Sequence, residues 1–188
     1  MAAHIILLSG ERGAGKSTVC HKTVTLARAQ GYACGGVITL NCANYTGDVR
    51  DVLDVGSGHT RRLTVDTASA VVMGRFRFDP QTMIWGNDVL AHAAPCHLLV
   101  VDELGPLEVE RGQGWQKAFE VLRGGDFGLA LVVVRPGLLE QVRHKLPAGS
   151  TETLTVETGN RDDLPRVILE MLGSDARAVS RISSIRNG

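Results

Sequence analysis

Aromatic residues are scarce in this chain: four Phe, two Trp and two Tyr make up 4% of its 188 residues. That leaves little material for the stacking platforms on which single-stranded nucleic acids rest. An excess of one charge sign is missing too. Twenty Lys and Arg stand against twenty Asp and Glu, so no basic field argues for nucleic acid as the main partner. No apolar run approaches the ~20 residues that a membrane-spanning helix requires. The N-terminus has no charged lead ahead of an apolar signal core, because it enters an apolar strand at once. Cys20, Cys34, Cys42 and Cys96 show no C-x-x-C spacing and no paired pattern, which reads as free thiols in a reducing compartment. These absences predict a cytoplasmic protein with neither membrane nor nucleic acid among its partners. What remains is ordinary for a globular chain, 44% hydrophobic and 21% charged. A chain this long makes one domain that buries about 70% of its unfolded surface.

The most informative stretch is Gly10-Glu11-Arg12-Gly13-Ala14-Gly15-Lys16-Ser17-Thr18, which fits G-x-x-x-x-G-K-[ST]. The apolar run His4-Ile5-Ile6-Leu7-Leu8 precedes it as a buried strand would. Val19, Thr23, Leu26 and Ala27 follow at helical spacing. A strand, a glycine-rich turn and a helix are what phosphate binding needs. Glycines let consecutive N–H groups point inward around an anion, and the new helix adds its positive end. Lys16 is placed to reach the β- and γ-phosphates, and the Ser17 hydroxyl to ligate Mg2+. The expected ligand is a nucleoside triphosphate.

Along the rest of the chain, a helix is predicted from about 15 to 30, stopped by Gly31. Val37–Leu40 reads as a second strand. From Tyr45 to Val65, β-formers flank Gly56-Ser57-Gly58 as in a hairpin, and 74–78 adds a third short strand. A helix from Pro80 to about Ala93 leads to His97-Leu98-Leu99-Val100-Val101-Asp102-Glu103, whose apolar part suits a strand buried on both faces. A helix over 113–123 follows, with Trp115, Phe119 and Leu122 as a core face. Leu129–Val134 is another two-sided strand, closed by Arg135-Pro136. A helix to about Lys145, a strand over 153–156 and a last helix from 162–165 complete the domain, taken as residues 1–172 with an insertion at about 45–78. From Gly173 the apolar periodicity stops, and 173–188 is expected to be a flexible tail.

Asp102 and Glu103 stand at the carboxyl end of their strand, the side on which open α/β sheets bind ligands. If that strand neighbours the first, Asp102 faces the phosphate loop and holds Mg2+ together with Ser17. Glu103 is then placed to orient or deprotonate a water behind the γ-phosphorus. An apolar run ending in Asp-Glu often only solvates a loop, so the pair gains its meaning from the phosphate loop. Arg135 and Arg161 flank strand ends on the same side and are candidates to contact phosphate or base.

Three blocks resemble the small nucleoside-triphosphatases of archaea and bacteria and their vertebrate relative, the cancer-related nucleoside-triphosphatase: GERGAGKST at 10–18, VVDELGPLE at 100–108 and TGNRDDLP at 158–165. Leu104, Gly105 and Glu108 match family positions after the acidic pair. The resemblance covers roughly 3–172. It implies a three-layer α/β fold of the RecA-like type, with a mainly parallel sheet, an additional strand, a catalytic glutamate and an inserted β-hairpin. It also implies Mg2+-dependent hydrolysis of ATP, GTP and other triphosphates, with Glu103 and Lys16 as the catalytic residues. The chain departs from the pattern at Leu40-Asn41-Cys42, at Pro106 and at Arg135. Two other readings stay open. One is a nucleotide or small-molecule kinase, for which Arg61, Arg62, Arg75 and Arg77 are the only candidate lid residues. The other is a nucleotide-switched accessory of cofactor or metalloenzyme assembly, with a protein partner still to be identified.

Overall fold

The structure, a computed structural model, describes residues 4–42, 49–147 and 151–174. In chain order it contains β1 (His4–Ser9), α1 (Lys16–Ala29), β2 (Cys34–Asn41), β3 (Arg50–Asp54), β4 (Thr60–Arg62), β5 (Val71–Met73) and β6 (Phe76–Phe78). Then come α2 (Pro80–Ala91), β7 (Cys96–Leu104), α3 (Pro106–Val109), α4 (Gln116–Gly124) and β8 (Phe127–Val134). A 3-10 turn at Pro136–Leu138 leads into α5 (Leu139–Lys145), β9 (Thr151–Thr155) and a last helix α6 at 164–174.

Seven strands form one sheet in the order β4-β3-β2-β7-β8-β1-β9. From β2 to β9 all neighbours run parallel, while β3 and β4 are added antiparallel at one edge. Both faces of the central strands are covered, which explains their unbroken apolar runs. In β1, Ile5 and Leu7 join the core that contains Leu90 of α2, Phe119 and Leu122 of α4 and Val142 of α5. Ile6 and Leu8 point the other way, to Val19, Val24 and Ala27 of α1 and to Leu164 and Ile168 of α6. The period-two alternation of a strand thus builds three layers. Each such fully buried Leu or Ile contributes roughly 1.5–3 kcal/mol of transfer free energy.

Several expectations need adjustment. The hairpin between 45 and 65 exists as β3 and β4, but β3 pairs with β2, so it widens the main sheet. The third short strand, β6, instead pairs with β5 in a separate two-stranded ribbon, touching Thr64 only by an isolated bridge. Residues 45–48 of the expected insertion lie outside the described residues, as does the tail from 175. The last helix runs on to 174, slightly beyond the expected end of the domain. The strand carrying Asp102 is not next to β1; β8 stands between them. Nor does it end at Asp102. Val101 to Leu104 spans three steps of β7, whereas their partners Val132 and Val134 are two steps apart in β8. Asp102 and Glu103 therefore sit in a bulge, a device that redirects side chains without ending the strand. No described helix is long and apolar enough to cross a membrane.

Candidate active site

The loop between β1 and α1 has the backbone of an anion nest. Gly10, Gly13 and Gly15 take φ values of 143°, 85° and 102°, a region other residues avoid. At Gly10 the packing is as restrictive as the torsion, since a β-carbon would lie 2.4 Å from the carbonyl oxygen of Val156. Gly15 caps α1 without any side-chain hydrogen bond, which leaves the first-turn N–H groups for a ligand. Lys16 folds back over this loop, donating from Nζ to the carbonyls of Gly10 at 2.7 Å and Glu11 at 2.9 Å. Ala14 N donates to Glu11 O at 3.2 Å and closes the turn. Arg12 and Thr18 are exposed at its rim.

Asp102 is reached across the width of β8. Its side chain is buried, and Ser17 stands beside its carboxylate. Burial dominates its chemistry and pushes its pKa up to about 7. The neighbouring Ser17 hydroxyl opposes the rise, nearby Glu103 adds to it, and the Thr39 amide and the Lys16 charge oppose it further. Thr39, at the end of β2, donates from its N–H to Asp102 Oδ2 at 3.2 Å and from its hydroxyl to the Asp102 carbonyl at 2.8 Å. The Ser17 hydroxyl and the buried Asp102 carboxylate form a hard-oxygen donor pair, which fits Mg2+. Among the described residues, no cluster of three or more His, Cys, Asp or Glu offers a different metal site.

Glu103 emerges from the bulge beside Asp102 and is paired with Arg135, whose Nε lies 2.5 Å from Oε1. Glu108, from α3, comes to the same place from behind. A β-carbon at Gly105 would lie 3.6 Å from Glu103 Oε1, 3.7 Å from Glu108 Oε2 and 3.9 Å from Arg135 Nε. Glu108 is buried, and its two oxygens accept from the N–H groups of Gly105 at 2.9 Å and Trp115 at 3.1 Å. Desolvation outweighs these bonds and raises its pKa to about 7.

Arg161 approaches from the opposite side of the loop. Its Cδ lies 3.2 Å from where a Gly15 β-carbon would stand. Asn160 shapes the turn that presents it, donating to Thr155 O and accepting from Glu157 N, both at 2.9 Å. A 2.6 Å ion pair between Lys22 and Asp162 ties that turn to α1.

The profile of the family described as NTPase matches residues 5–169, most of the chain. The chain belongs to this family. A nucleoside-triphosphatase THEP1 of Methanosarcina acetivorans is 32% identical to this NTPase over 167 residues, 87% of this chain and 93% of that protein. The corresponding protein of Thermofilum pendens is 25% identical, covering 93% and 98%. The solution structure of a human cancer-related nucleoside triphosphatase shares the fold of this NTPase, with a TM-score of 0.69 at 21% identity, covering 92% of this chain and 98% of that one. THEP1 from Aquifex aeolicus gives 0.65 at 16%, covering 89% and 98%.

All the sequence-predicted residues of the NTPase therefore gather at one end of the sheet: the phosphate loop, Asp102 and Glu103 from β7, Arg135 after β8 and Arg161 before α6. Three contributors were missed. Thr39 was read only as a strand residue, Glu108 only as a matching position, and Asn160 only as part of a helix start. The signal for Glu108 was a carboxylate in the otherwise apolar stretch Leu104–Val109, which argues for a satisfied buried group.

Proposed function

We propose that this nucleoside-triphosphatase hydrolyses ATP, GTP and other nucleoside triphosphates to the diphosphate and phosphate with Mg2+. The observation that carries the reading is the contact between Ser17 of the loop and Asp102 of β7, with Glu103 next in line. Amides of residues 10–18 and the Lys16 ammonium bind the β- and γ-phosphates, after Lys16 exchanges its two loop carbonyls for phosphate oxygens. Ser17 and Asp102 would hold Mg2+, and the metal when bound neutralises charge on the phosphate oxygens. Glu103 orients a water on the far side of the γ-phosphorus and accepts its proton as the new O–P bond forms. The bond to the bridging oxygen breaks, and the diphosphate leaves on the opposite side.

Arg135 has two roles in this reading. Paired with Glu103 it neutralises the base while no triphosphate is present. A bound γ-phosphate competes for the guanidinium and releases the carboxylate. Arg161 lies on the leaving side and contacts the phosphates over Gly15. The four thiols are free, in keeping with a reducing cytoplasm.

Glu103→Gln tests the division of labour. The variant keeps shape but loses basicity, so Mg2+-ATP binding should hold while single-turnover hydrolysis falls roughly 10²–10⁴-fold. Wild-type turnover in Glu103→Gln removes the residue from the mechanism.

A further inference from the structure

A cavity of about 80 Å3 opens beside Glu103 and Arg135. The order of strands says on which side it lies. The phosphate loop follows β1 and Glu103 stands on β7, whereas the cavity takes Thr39 from β2 and Arg50 from β3, beyond β7. No residue of 10–18 lines it, although Arg12 stands 6.0 Å from the centroid of Phe76 in its wall. We infer that this cavity is an acceptor site, and that the protein passes the γ-phosphoryl group to small neutral aliphatic alcohols as well as to water. The inference rests on the proposed function for the role of Glu103. In an in-line displacement the attacking oxygen stands opposite the leaving diphosphate. Glu103 marks that side, and the cavity extends it away from the loop.

The lining favours a neutral guest. Its charges are matched within the protein: Glu103 and Arg135 pair with each other at 2.5 Å, and the Glu108 oxygens accept from two backbone N–H groups. Arg50 lies 4.3 Å from the Phe76 centroid and is engaged elsewhere as well. Thr39 donates both its N–H and its hydroxyl to Asp102. An added ion would therefore lose its hydration without gaining a free counter-charge. Leu63, Met73, Phe78, Met83 and Leu107 make much of the remaining wall apolar. A wall of this kind holds water poorly. It favours a hydrocarbon tail by about four-fold for each methylene taken out of water.

One acceptor remains for the head of such a guest. When a γ-phosphate draws Arg135 away, the Glu103 carboxylate is left to take a hydroxyl proton beside the cavity. The alcohol oxygen forms the new O–P bond, its proton passes to Glu103, and the bond to the bridging oxygen breaks. The products are the diphosphate and an alkyl phosphate, the balance of hydrolysis with an alcohol in place of water. Volume sets the length of the tail. An apolar cavity of about 150 Å3 takes benzene, so about half of that suits roughly three or four non-hydrogen atoms, the size of n-propanol.

The test incubates the full chain with Mg2+-ATP and, at one shared concentration, methanol, ethanol, n-propanol, n-pentanol or ethylene glycol. Total ADP is measured, and phosphorus NMR separates alkyl phosphate from inorganic phosphate. The ratio of alkyl phosphate to phosphate should rise about four-fold per methylene from methanol to n-propanol, and no further with n-pentanol. Ethylene glycol matches n-propanol in size but ends in a second hydroxyl, unpaired against the wall, and should transfer about ten-fold less. Met73, half-buried in the β5–β6 ribbon, gives a handle on the volume. Met73→Trp fills the cavity and should bring n-propanol down to the methanol level, while hydrolysis without alcohol stays as in wild type. Met73→Ala enlarges the cavity and should move the optimum to n-pentanol.

Ratios that do not change with chain length overturn the inference, since they describe alcohol drawn from bulk solvent. So does ethylene glycol transferring like n-propanol, or a Met73→Trp ratio equal to wild type. An optimum unmoved in Met73→Ala refutes it equally, and decides the matter should Met73→Trp not fold. ADP formed with inorganic phosphate alone sinks the acceptor site and leaves the proposed function standing. If no ADP forms from Mg2+-ATP, with or without alcohol, the proposed function fails and the acceptor site falls with it.

Discussion

Glu108 gives the protein a pH dependence that can be worked out from its surroundings. Its folded-state pKa stands at about 7 against an ordinary value of 4.5, because burial disfavours the charged form more than two N–H bonds favour it. At 1.36 kcal/mol per unit this difference amounts to about 3 kcal/mol. The sign follows from which state holds the proton. Between pH 4.5 and 7 the folded protein binds it and the unfolded chain does not, so stability falls as pH rises across that window. The contribution is complete below 4.5 and lost above about 7. Glu108→Gln cannot ionise and removes the slope. Urea unfolding of both proteins, followed by circular dichroism at pH 4.5 and pH 8, measures the change. The stability difference between mutant and wild type should move by about 3 kcal/mol in favour of the mutant at the higher pH. Asp102 titrates in both proteins and cancels in this comparison. A difference that stays constant with pH would mean that Glu108 is ionised throughout, and that the two N–H bonds outweigh burial.

Three further outcomes test the site. Asp102→Asn should weaken Mg2+ and ATP binding together in calorimetric titrations, yet stabilise the ligand-free protein at pH 8, because a buried carboxylate with a raised pKa is removed. Lys16→Ala should abolish ATP binding at micromolar concentration with the circular dichroism spectrum unchanged; retained affinity would show that another cation serves the loop. Arg135→Lys and Arg161→Lys should each lower turnover without changing the urea midpoint, since an ammonium does not reproduce the planar fork. Wild-type kinetics in both would place the phosphates elsewhere.

Local signals were readable because they depend on neighbours in the chain. The glycine spacing of 10–15, the two-sided strands around Leu98–Val101 and Leu129–Val134, and the apolar stripe of α6 each carry their own period. Pairing is a different matter. Nothing in the stretch 74–78 says whether it joins a hairpin or finds a separate partner in 71–73, since three residues are too short for a pattern. The bulge at Asp102 was hidden for a related reason: an extra residue in one strand is defined only against its partner. Thr39 acts on Asp102, 63 residues further along the chain, and Glu108 on N–H groups that only the turns after β7 bring round it, so residue type alone did not expose them. Asp79 went unread as well, although it caps α2 ahead of Pro80 by accepting from the N–H groups of Gln81 and Thr82.

The position of β8 has a consequence for scale. Neighbouring strands are spaced about 4.8 Å apart, so β1 and β7 stand roughly 9–10 Å from each other. That separation leaves room for a phosphoryl group and the water behind it; half as much would leave none. The core residues of β8 have no chemical role in the proposed mechanism, yet the strand sets the distance across which that mechanism works. Its unit of length is the hydrogen-bonded repeat of the sheet, which side-chain variation alters little. Loops around the site are free to diverge while this gauge keeps the phosphate loop and the Asp102–Glu103 bulge at a fixed separation.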